Sequence, residues 1–224
     1  MSKKSVLITG ASGSLGSELV KKYIEYGYFV VLHSRNKKTS SNKINGHTKK
    51  DHEIVTGDLK IKSTINKISK VIIKKKVDII INNAGIYLNK PFVKNSTKEI
   101  LDIFYVNFFS NVFILQKLIS KINKKLLIIN INSAAGLNGS VNESIYAASK
   151  HAMKGFYESL DKEYFGKKID VLNIYPGAFK SKITKKRKTF NDLMKPNEIA
   201  NVIFEASRDY SSLKITSLNL IRNK

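Results

Sequence analysis

The sequence predicts an α/β fold, in which a doubly wound parallel sheet of about seven strands carries helices on both faces. Short apolar segments alternate with longer segments of helical periodicity along the whole chain. The apolar segments are continuous runs of Ile, Val and Leu, which is typical of parallel strands buried on both faces. The chain has 224 residues, with no internal repeat and no linker. We therefore expect residues 1–224 to form a single domain.

Seven segments have the composition of buried strands. They are short, rich in Ile, Val and Leu, and bounded by polar or turn-forming residues. In chain order they are Ser5–Thr9, Phe29–His33, Ile54–Thr56, Val77–Asn82, Leu126–Asn132, Asp170–Tyr175 and Lys214–Leu220.

Five segments have the pattern of helices. The longest, Thr97–Ile122, is preceded by Ser96 and carries Glu99 three residues after it, which is the pattern of a capping box. The polar segment Asn36–His52, rich in Lys, Ser and Asn, is expected to be a loop or a surface helix. The other helical segments are Leu15–Tyr26, Ile65–Lys75, Ser144–Phe165 and Asn197–Ser207, the last following Pro196.

Composition excludes several classes of protein and site. The chain has no cysteine, which rules out disulfides, thiolate nucleophiles and cysteine-ligated metal sites. No continuous apolar run approaches the roughly 18 residues of a membrane span. The apolar stretch near the N-terminus, Val6–Ile8, is too short for a secretory signal. We expect a cytoplasmic protein with no membrane partner and no bound metal.

The charge balance is strongly basic, at 40 − 17 = +23. Such a field would attract nucleic acid, an anionic membrane or an acidic substrate. However, the basic residues are 36 lysines and 4 arginines scattered along the chain. Lys, Asn and Ile share A/T-rich codons, so codon bias explains much of the excess. No basic–aromatic interleaving or nucleic-acid motif is present, and we expect no nucleic-acid partner.

The turn after the first strand has the composition of a phosphate cradle. It reads Thr9-Gly-Ala-Ser-Gly-Ser-Leu-Gly16. Gly10, Gly13 and Gly16 let the backbone turn sharply and approach a pyrophosphate closely, and the following helix presents free N–H groups to the anion. The context, after a strand and before a helix, favours nucleotide binding.

The end of the second strand indicates which dinucleotide is bound. An NAD site has an acidic side chain at this position to bind the ribose hydroxyls. Here the segment His33–Lys38 has no acid, and it contains Ser34 and Arg35. A guanidinium matches the geometry of a 2′-phosphate, so the sequence favours NADP(H) over NAD(H). Arg35 could alternatively be a solvated surface charge.

Tyr146 and Lys150 lie four residues apart and share a helix face if the segment is helical. A free tyrosine has a pKa of about 10, and lowering that pKa to about 7 requires roughly 4 kcal/mol. An ammonium about 4 Å away, at an effective dielectric of about 20, supplies a comparable amount. Tyr146 could then exchange a proton with a substrate oxygen. Ser133, after the fifth strand, could donate a hydrogen bond to the same oxygen.

Taken together, the motifs resemble the short-chain dehydrogenases/reductases, in particular the compact, single-domain subfamily with a Rossmann-type fold. The resemblance spans about residues 5–205. It rests on motifs in the family's order with family-like spacing. They are Thr9–Gly16, Asp58, Asn82-Asn83-Ala84-Gly85, Asn107, Ser133, Tyr146 with Lys150, and Pro176-Gly177.

The resemblance implies a role for each matching residue. Tyr146 would be the acid/base, Ser133 would orient the substrate carbonyl, and Lys150 would lower the pKa of Tyr146 and bind the nicotinamide ribose. Asn107 would hold a water in a proton relay with Lys150. The remaining positions would contact the cofactor: Gly10, Ser12, Gly13, Ser14, Leu15, Gly16, Ser34, Arg35, Asp58 and Leu59 at the phosphate and adenine side, Asn83, Ala84 and Gly85 at the ribose, and Pro176 and Gly177 at the nicotinamide.

The chain departs from the subfamily pattern in two places. Ser14 stands where the compact subfamily has its middle glycine, and the resulting spacing is more typical of the extended branch that acts on sugar nucleotides. That branch carries a further C-terminal domain, for which 224 residues leave no room. The segment Leu213–Lys224 lacks the Gly-Gly ending that helps relatives form tetramers. We therefore expect a homo-oligomer, a dimer through the long helices rather than a tetramer.

The segment after Pro176-Gly177, which is the family's variable substrate loop, contains six basic residues in nine, between Lys180 and Lys188. This density suggests an anionic substrate, although a mobile solvated loop explains it equally well. The sequence thus predicts an oxidoreductase that transfers a hydride between NADP(H) and a small carbonyl or secondary alcohol. The alternatives are a reductase of sugar nucleotides or acyl-carrier thioesters, and a non-catalytic NADP(H) sensor.

Overall fold

A seven-stranded sheet, parallel throughout, organises the chain in the computed structural model, which describes residues 3–36, 50–208 and 212–223. The strand order is β3-β2-β1-β4-β5-β6-β7, which confirms the predicted doubly wound fold. The order reverses between β1 and β4, where such sheets form their ligand crevice. The strands are β1 (Ser5–Ile8), β2 (Phe29–Ser34), β3 (His52–Thr56), β4 (Ile79–Asn82), β5 (Leu126–Ile131), β6 (Ile169–Pro176) and β7 (Ser217–Leu220).

The strand boundaries agree with the sequence-based expectation to within a few residues. The largest difference is at the last strand, where β7 begins at Ser217 rather than Lys214 because only the later residues pair with β6. Most of the predicted polar segment Asn36–His52 lies outside the described residues, and its last residue, His52, begins β3.

Helices cover both faces of the sheet, as the continuous apolar strands require. Ser96 and Glu99 form the predicted capping box, in which each side chain binds the other's backbone N–H. The long helix is interrupted by a π-helical turn at Tyr105–Phe109, a feature common near functional sites. The α-helices are α1 (Ser14–Glu25), α2 (Lys62–Lys75), α3 (Thr97–Phe104), α4 (Ser110–Leu118), α5 (Ser144–Glu163) and α6 (Pro196–Ala206).

Two apolar clusters, one on each side of the sheet, form the core. On one side α1 and α6 pack through Leu19, Tyr23 and Phe204. On the other side α2, α4 and α5 bury residues such as Ile68 and Tyr157. Because both faces are covered, the carboxyl edge of the sheet is left to open towards solvent.

One helical stretch of the described chain, Thr97–Lys121, is long and apolar enough to cross a membrane by length and composition alone. It corresponds to the long helix predicted from the sequence. Ile103, Ile114 and Leu118 of this stretch are at most 2% exposed. They are therefore buried inside the fold.

Candidate active site

A cleft of about 670 Å³ lies over the carboxyl ends of the central strands. The cleft brings together residues from separate segments, each of which contains a motif that the sequence predicted to belong to the site. Of the predicted site residues, Asn107 alone is absent from its wall. Those that line it are Gly10, Ser12, Gly13, Ser14, Leu15, Gly16, Ser34, Arg35, Asp58, Leu59, Asn83, Ala84, Gly85, Ser133, Tyr146, Lys150, Pro176 and Gly177.

The turn between β1 and α1 is packed backbone against backbone. Gly10 has φ +64°, and a Cβ built there would lie 2.8 Å from the Cα of Ala84. A Cβ at Gly16 would lie 2.3 Å from the carbonyl oxygen of Gly10. Gly13 is less crowded, with its nearest neighbour, the same oxygen, at 3.2 Å. Side chains at positions 10 and 16 would therefore prevent the backbone of this turn from packing as closely as it does against Ala84 and against itself.

Hydrogen bonds tie this turn to the segment after β4. The Thr9 hydroxyl accepts from the backbone N–H groups of Asn83 and Ala84, both at 3.0 Å. The Asn83 amide donates to the carbonyl oxygens of Thr9 at 2.9 Å and Gly10 at 3.2 Å. Asn83, predicted as a cofactor contact, thus also holds the two walls of the crevice together.

α1 begins at Ser14, and its N-cap residue, Gly13, makes no side-chain cap hydrogen bond. Because Gly13, Ser14, Leu15 and Gly16 line the cleft, the N–H groups of the first helical turn are placed to receive an anion.

The outer end of the cleft, beyond β2 and β3, has mixed charge. Arg35 is exposed and lines the cleft directly after β2. Asp58 accepts a 2.9 Å hydrogen bond from the backbone of Lys60, whose ammonium lies 3.0 Å from Asp102. Ser34 is buried and donates to the carbonyl of Asn36 at 2.8 Å. Lys37 and Lys38, which are also basic, lie outside the described residues.

At the inner end, Ser133 lies two residues after the end of β5, and Tyr146 and Lys150 lie in the first two turns of α5. The Ser133 hydroxyl accepts a 3.1 Å hydrogen bond from the Ala135 N–H and lies close enough to Tyr146 to act on the pKa of its phenol. The Lys150 ammonium lies 5.9 Å from the centroid of the Tyr146 ring and donates to the carbonyl of Ile131 at 3.1 Å. The structure thus brings the three predicted catalytic residues together.

The pKa values of Tyr146 and Lys150 are shifted mainly by burial, which the sequence-based expectation did not include. Burial raises the pKa of Tyr146, the neighbouring Ser133 hydroxyl opposes the rise, and the nearby Glu143 and Tyr87 add to it. Burial also lowers the pKa of Lys150 to about 8. The expectation that Lys150 lowers the pKa of the Tyr146 phenol stays a prediction. In the cleft as the structure describes it, burial is the largest influence on that pKa.

Asn107 lies behind the cleft wall, fully buried in the π-helical turn. Its amide nitrogen donates to the Ile86 carbonyl at 3.0 Å and to the Ser149 hydroxyl at 3.1 Å, and its oxygen accepts from the Ile86 N–H at 2.8 Å. Both amide hydrogens are thus engaged in holding the segment after β4 against α5. The predicted water-holding role of Asn107 stays a prediction.

The loop after Pro176-Gly177 lines the cleft mainly with uncharged residues, among them Ser181, Ile183 and Thr184. Of its six basic residues, Arg187 alone is part of the cleft lining. Lys185, Lys186 and Lys188 are exposed, and none of the three lines the cleft. The structure therefore offers little support for these lysines as contacts of an anionic substrate.

Two residues of the inner cleft were missed by the sequence reasoning. The Tyr87 ring packs edge-on against Tyr146, with centroids 5.0 Å apart, and its hydroxyl donates to the Glu143 carboxylate. Each lies close to a recognised motif, Tyr87 two residues after Gly85 and Glu143 three residues before Tyr146. That proximity was the only available signal, since their contact depends on how two distant segments meet.

Comparisons with known proteins agree with this geometry. A family model described as short chain dehydrogenase matches residues 4–192. A 3-oxoacyl-[acyl-carrier-protein] reductase of Buchnera aphidicola is 34% identical over 192 residues, covering 84% of this chain and 78% of the relative. An NADPH-dependent 3-dehydrocapnine reductase of Ornithobacterium rhinotracheale is 26% identical over 211 residues, covering 90% and 75%.

Solved structures share the fold. A short-chain dehydrogenase of Shigella flexneri, complexed with NADP, superposes with a TM-score of 0.87 at 23% identity, covering 98% of this chain and 97% of that one. A short-chain dehydrogenase of Streptomyces avermitilis gives a TM-score of 0.85 at 22% identity, covering 98% and 89%.

Proposed function

The chain belongs to the short-chain dehydrogenase family, and from that premise we propose that it is an NADP(H)-dependent oxidoreductase that interconverts a carbonyl and a secondary alcohol, with Tyr146 as general acid/base. The observation that carries the proposal is the meeting of Ser133, Tyr146 and Lys150 in one cleft with a glycine-lined phosphate cradle. Mere binding of a dinucleotide would not need a half-buried tyrosine placed beside a serine and a lysine in the same cleft.

The residues of the outer cleft fit a dinucleotide. The space beside Gly10 and Gly16, which a Cβ would fill, lets backbone N–H groups of the first turn of α1 meet a pyrophosphate. Arg35, with no acid beside it at the end of β2, suits a 2′-phosphate. The cofactor would supply the hydride, while the protein supplies position, a proton and electrostatics. The NADP-bound fold neighbour and the NADPH-dependent relative support the choice of NADP(H).

The proton chemistry follows from burial. Because the pKa of Tyr146 is raised, its phenol stays protonated near neutral pH, ready to donate to a carbonyl oxygen during reduction. Ser133 is placed to donate a second hydrogen bond to that oxygen. Lys150, with a pKa of about 8, titrates close to working pH and can return a proton to the Tyr146 oxygen.

Replacing Tyr146 with Phe tests the proposal, since only the hydroxyl is removed. We expect NADPH consumption with a panel of ketones to fall about 10²- to 10⁴-fold, the usual worth of a positioned acid/base. Tyr164→Phe, outside the cleft lining, should leave the rate unchanged. Equal rates for Tyr146→Phe and the native protein would remove Tyr146 from the mechanism.

Arg35→Ser tests the cofactor choice. Loss of a charge-assisted bond to the 2′-phosphate should lower kcat/KM for NADPH by about tenfold or more and leave the value for NADH unchanged. Arg208→Ser is the control, since Arg208 pairs with Glu205 away from the cleft. An unchanged NADPH preference in Arg35→Ser would show that Arg35 is a solvated surface charge.

A 3-oxoacyl thioester is a second candidate substrate, because the Buchnera relative at 34% identity is a 3-oxoacyl-[acyl-carrier-protein] reductase. Acetoacetyl-coenzyme A in the ketone panel separates the two candidates. If it is reduced much faster than simple ketones, the thioester is favoured.

We also propose a homodimer formed through the long helices, where Leu101, Tyr105 and Phe113 are between 39% and 51% exposed. Leu101→Glu should convert a dimer to a monomer in sedimentation analysis, whereas an unchanged sedimentation coefficient would place the interface elsewhere. A cytoplasmic location stays a prediction from the sequence.

A further inference from the structure

A carboxylate stands beside the proposed catalytic tyrosine. Glu143 lines the cleft and lies three residues before Tyr146, at the N-cap position of α5. A carboxylate at this position would ordinarily cap the helix or satisfy its dipole. Here the Glu143 side chain makes no capping hydrogen bond. Capping of α5 therefore does not explain how the Glu143 side chain is oriented.

Instead, Glu143 is held from the opposite wall of the cleft. The Tyr87 hydroxyl and the Asn89 amide both donate to Oε1, the latter at 3.3 Å. Oε2 has no hydrogen-bond partner among the residues that the structure describes. The Tyr87 ring also packs against Tyr146. One carboxylate oxygen is thus fixed and the other is left for a ligand, in the same cleft as Tyr146.

Glu143 forms no direct ion pair within the described part of the chain, although Arg187 contacts the Tyr87 hydroxyl that binds it. Three acids line the cleft, and Asp58 and Asp102 both pair with Lys60. Glu143 has no ion pair within 4.0 Å among described residues. Arg187, the basic loop residue that lines the cleft, reaches the Tyr87 hydroxyl at 3.5 Å instead. Although the chain has a net charge of +23, no lysine among the described residues pairs with the Glu143 carboxylate.

We propose that Glu143 selects substrates that carry an ammonium group on the carbon next to the reacting carbonyl. The ammonium would donate a charge-assisted hydrogen bond to Oε2, and the faces of Tyr87 and Tyr146 would add cation–π attraction. An anionic group at the same position would be repelled. The inference rests on the proposed function, and it gives the inner cleft the opposite sign preference from the one that the lysine-rich loop suggested.

Three ketones that differ in one substituent test the proposal. Aminoacetone, hydroxyacetone and acetoacetate share a CH₃–CO–CH₂ unit and place an ammonium, a hydroxyl or a carboxylate beside the carbonyl at pH 7. With NADPH we expect kcat/KM to decrease in that order, with about tenfold or more between the first two. In Glu143→Gln, which keeps the shape of the side chain, the ratio between the first two should fall to near one.

Glu163→Gln, at the far end of α5 and outside the cleft lining, should keep the native ratio. A native enzyme that prefers hydroxyacetone or acetoacetate to aminoacetone, or shows no preference, would overturn the proposal. So would a preference for aminoacetone that survives in Glu143→Gln.

A binding measurement separates this proposal from the proposed function. Saturation-transfer NMR compares 1-amino-2-propanol with 1,2-propanediol in the presence of NADP⁺. If no ketone is reduced, the proposed oxidoreductase function fails, but stronger transfer to the amino alcohol that is lost in Glu143→Gln would still support the Glu143 site. Equal transfer to both alcohols, or none to either, would count against Glu143 as an ammonium receptor whatever the turnover.

Discussion

The outer and inner halves of the cleft are built in different ways. The outer half, formed by the β1–α1 turn, the end of β2 and the segment after β4, is shaped by backbone packing around Gly10 and Gly16. The inner half is shaped by side chains, with Glu143, Tyr87 and Arg187 brought together from three separate segments. The shape of the outer half thus depends on the lack of side chains at Gly10 and Gly16. The shape of the inner half depends on which side chains come into contact.

Lys150 lies where the two halves join, and replacing it with Met gives the largest expected effect. Activity should fall at least about 10²-fold, because Lys150 can no longer supply a proton to Tyr146. Stability should rise, because burial lowers the pKa of Lys150 from 10.5 to about 8. At about 1.36 kcal/mol per unit, keeping this ammonium charged costs roughly 3 kcal/mol at pH 7.

The pH dependence of the free energy of unfolding shows whether the buried Lys150 ammonium destabilises the fold. Between about pH 8 and 10.5 the unfolded chain keeps the Lys150 proton while the folded protein has lost it, so the free energy of unfolding rises with pH in that window. Urea unfolding of native and Lys150→Met proteins at pH 7 and pH 10 should show the Met variant more stable at pH 7, with the gap shrinking by pH 10. A gap that stays constant would mean that the Lys150 ammonium is not desolvated.

A matched pair of glycine substitutions sharpens the account of the outer half. Gly16→Ala places a Cβ 2.3 Å from the Gly10 carbonyl oxygen, whereas Gly13→Ala places one 3.2 Å from it. Overpacking of this kind costs about 1–3 kcal/mol, so NADPH binding or folding stability should drop in the first variant and change little in the second. NADPH titration and thermal unfolding measure both. Equal behaviour of the two variants would refute close backbone packing as the basis of the cradle.

The basic loop gives the smallest expected effect. Lys185, Lys186 and Lys188 are exposed and lie away from the cleft lining. Replacing all three with Ser should change kcat/KM by less than about twofold and leave its salt dependence nearly intact, because charges this far from the cleft lining contribute little to substrate attraction. A large loss of salt dependence would restore the anionic-substrate interpretation.

The sequence predicted the fold and most of the outer half because both leave local signals. Continuous apolar strands require a sheet covered on both faces, and glycines at a strand-to-helix turn require a close approach of backbone. Ser133, Tyr146 and Lys150 were also found, because they follow the end of one strand and begin one helix.

The direction of the Tyr146 pKa and the contacts of Asn107 could not be predicted in this way. Both depend on burial, which is a property of the assembled fold and not of spacing along the chain. The same holds for Glu143 and Tyr87, which lie 56 residues apart. The charge density after Gly177 could not show which basic residues face the cleft, and only Arg187 of that loop's basic residues lines it.

Steric crowding in the turn between β1 and α1 also limits which substitutions this sequence can accumulate. Codons rich in A and T supply Lys, Asn and Ile readily, whereas glycine codons begin with two G bases, and the chain has 12 glycines. At Gly139 and Gly155 an added Cβ meets nothing within 4 Å, but at Gly10 and Gly16 it meets backbone atoms at 2.8 and 2.3 Å. Natural variants under the same mutational pressure should therefore lose Gly139 and Gly155 well before they lose Gly10 and Gly16.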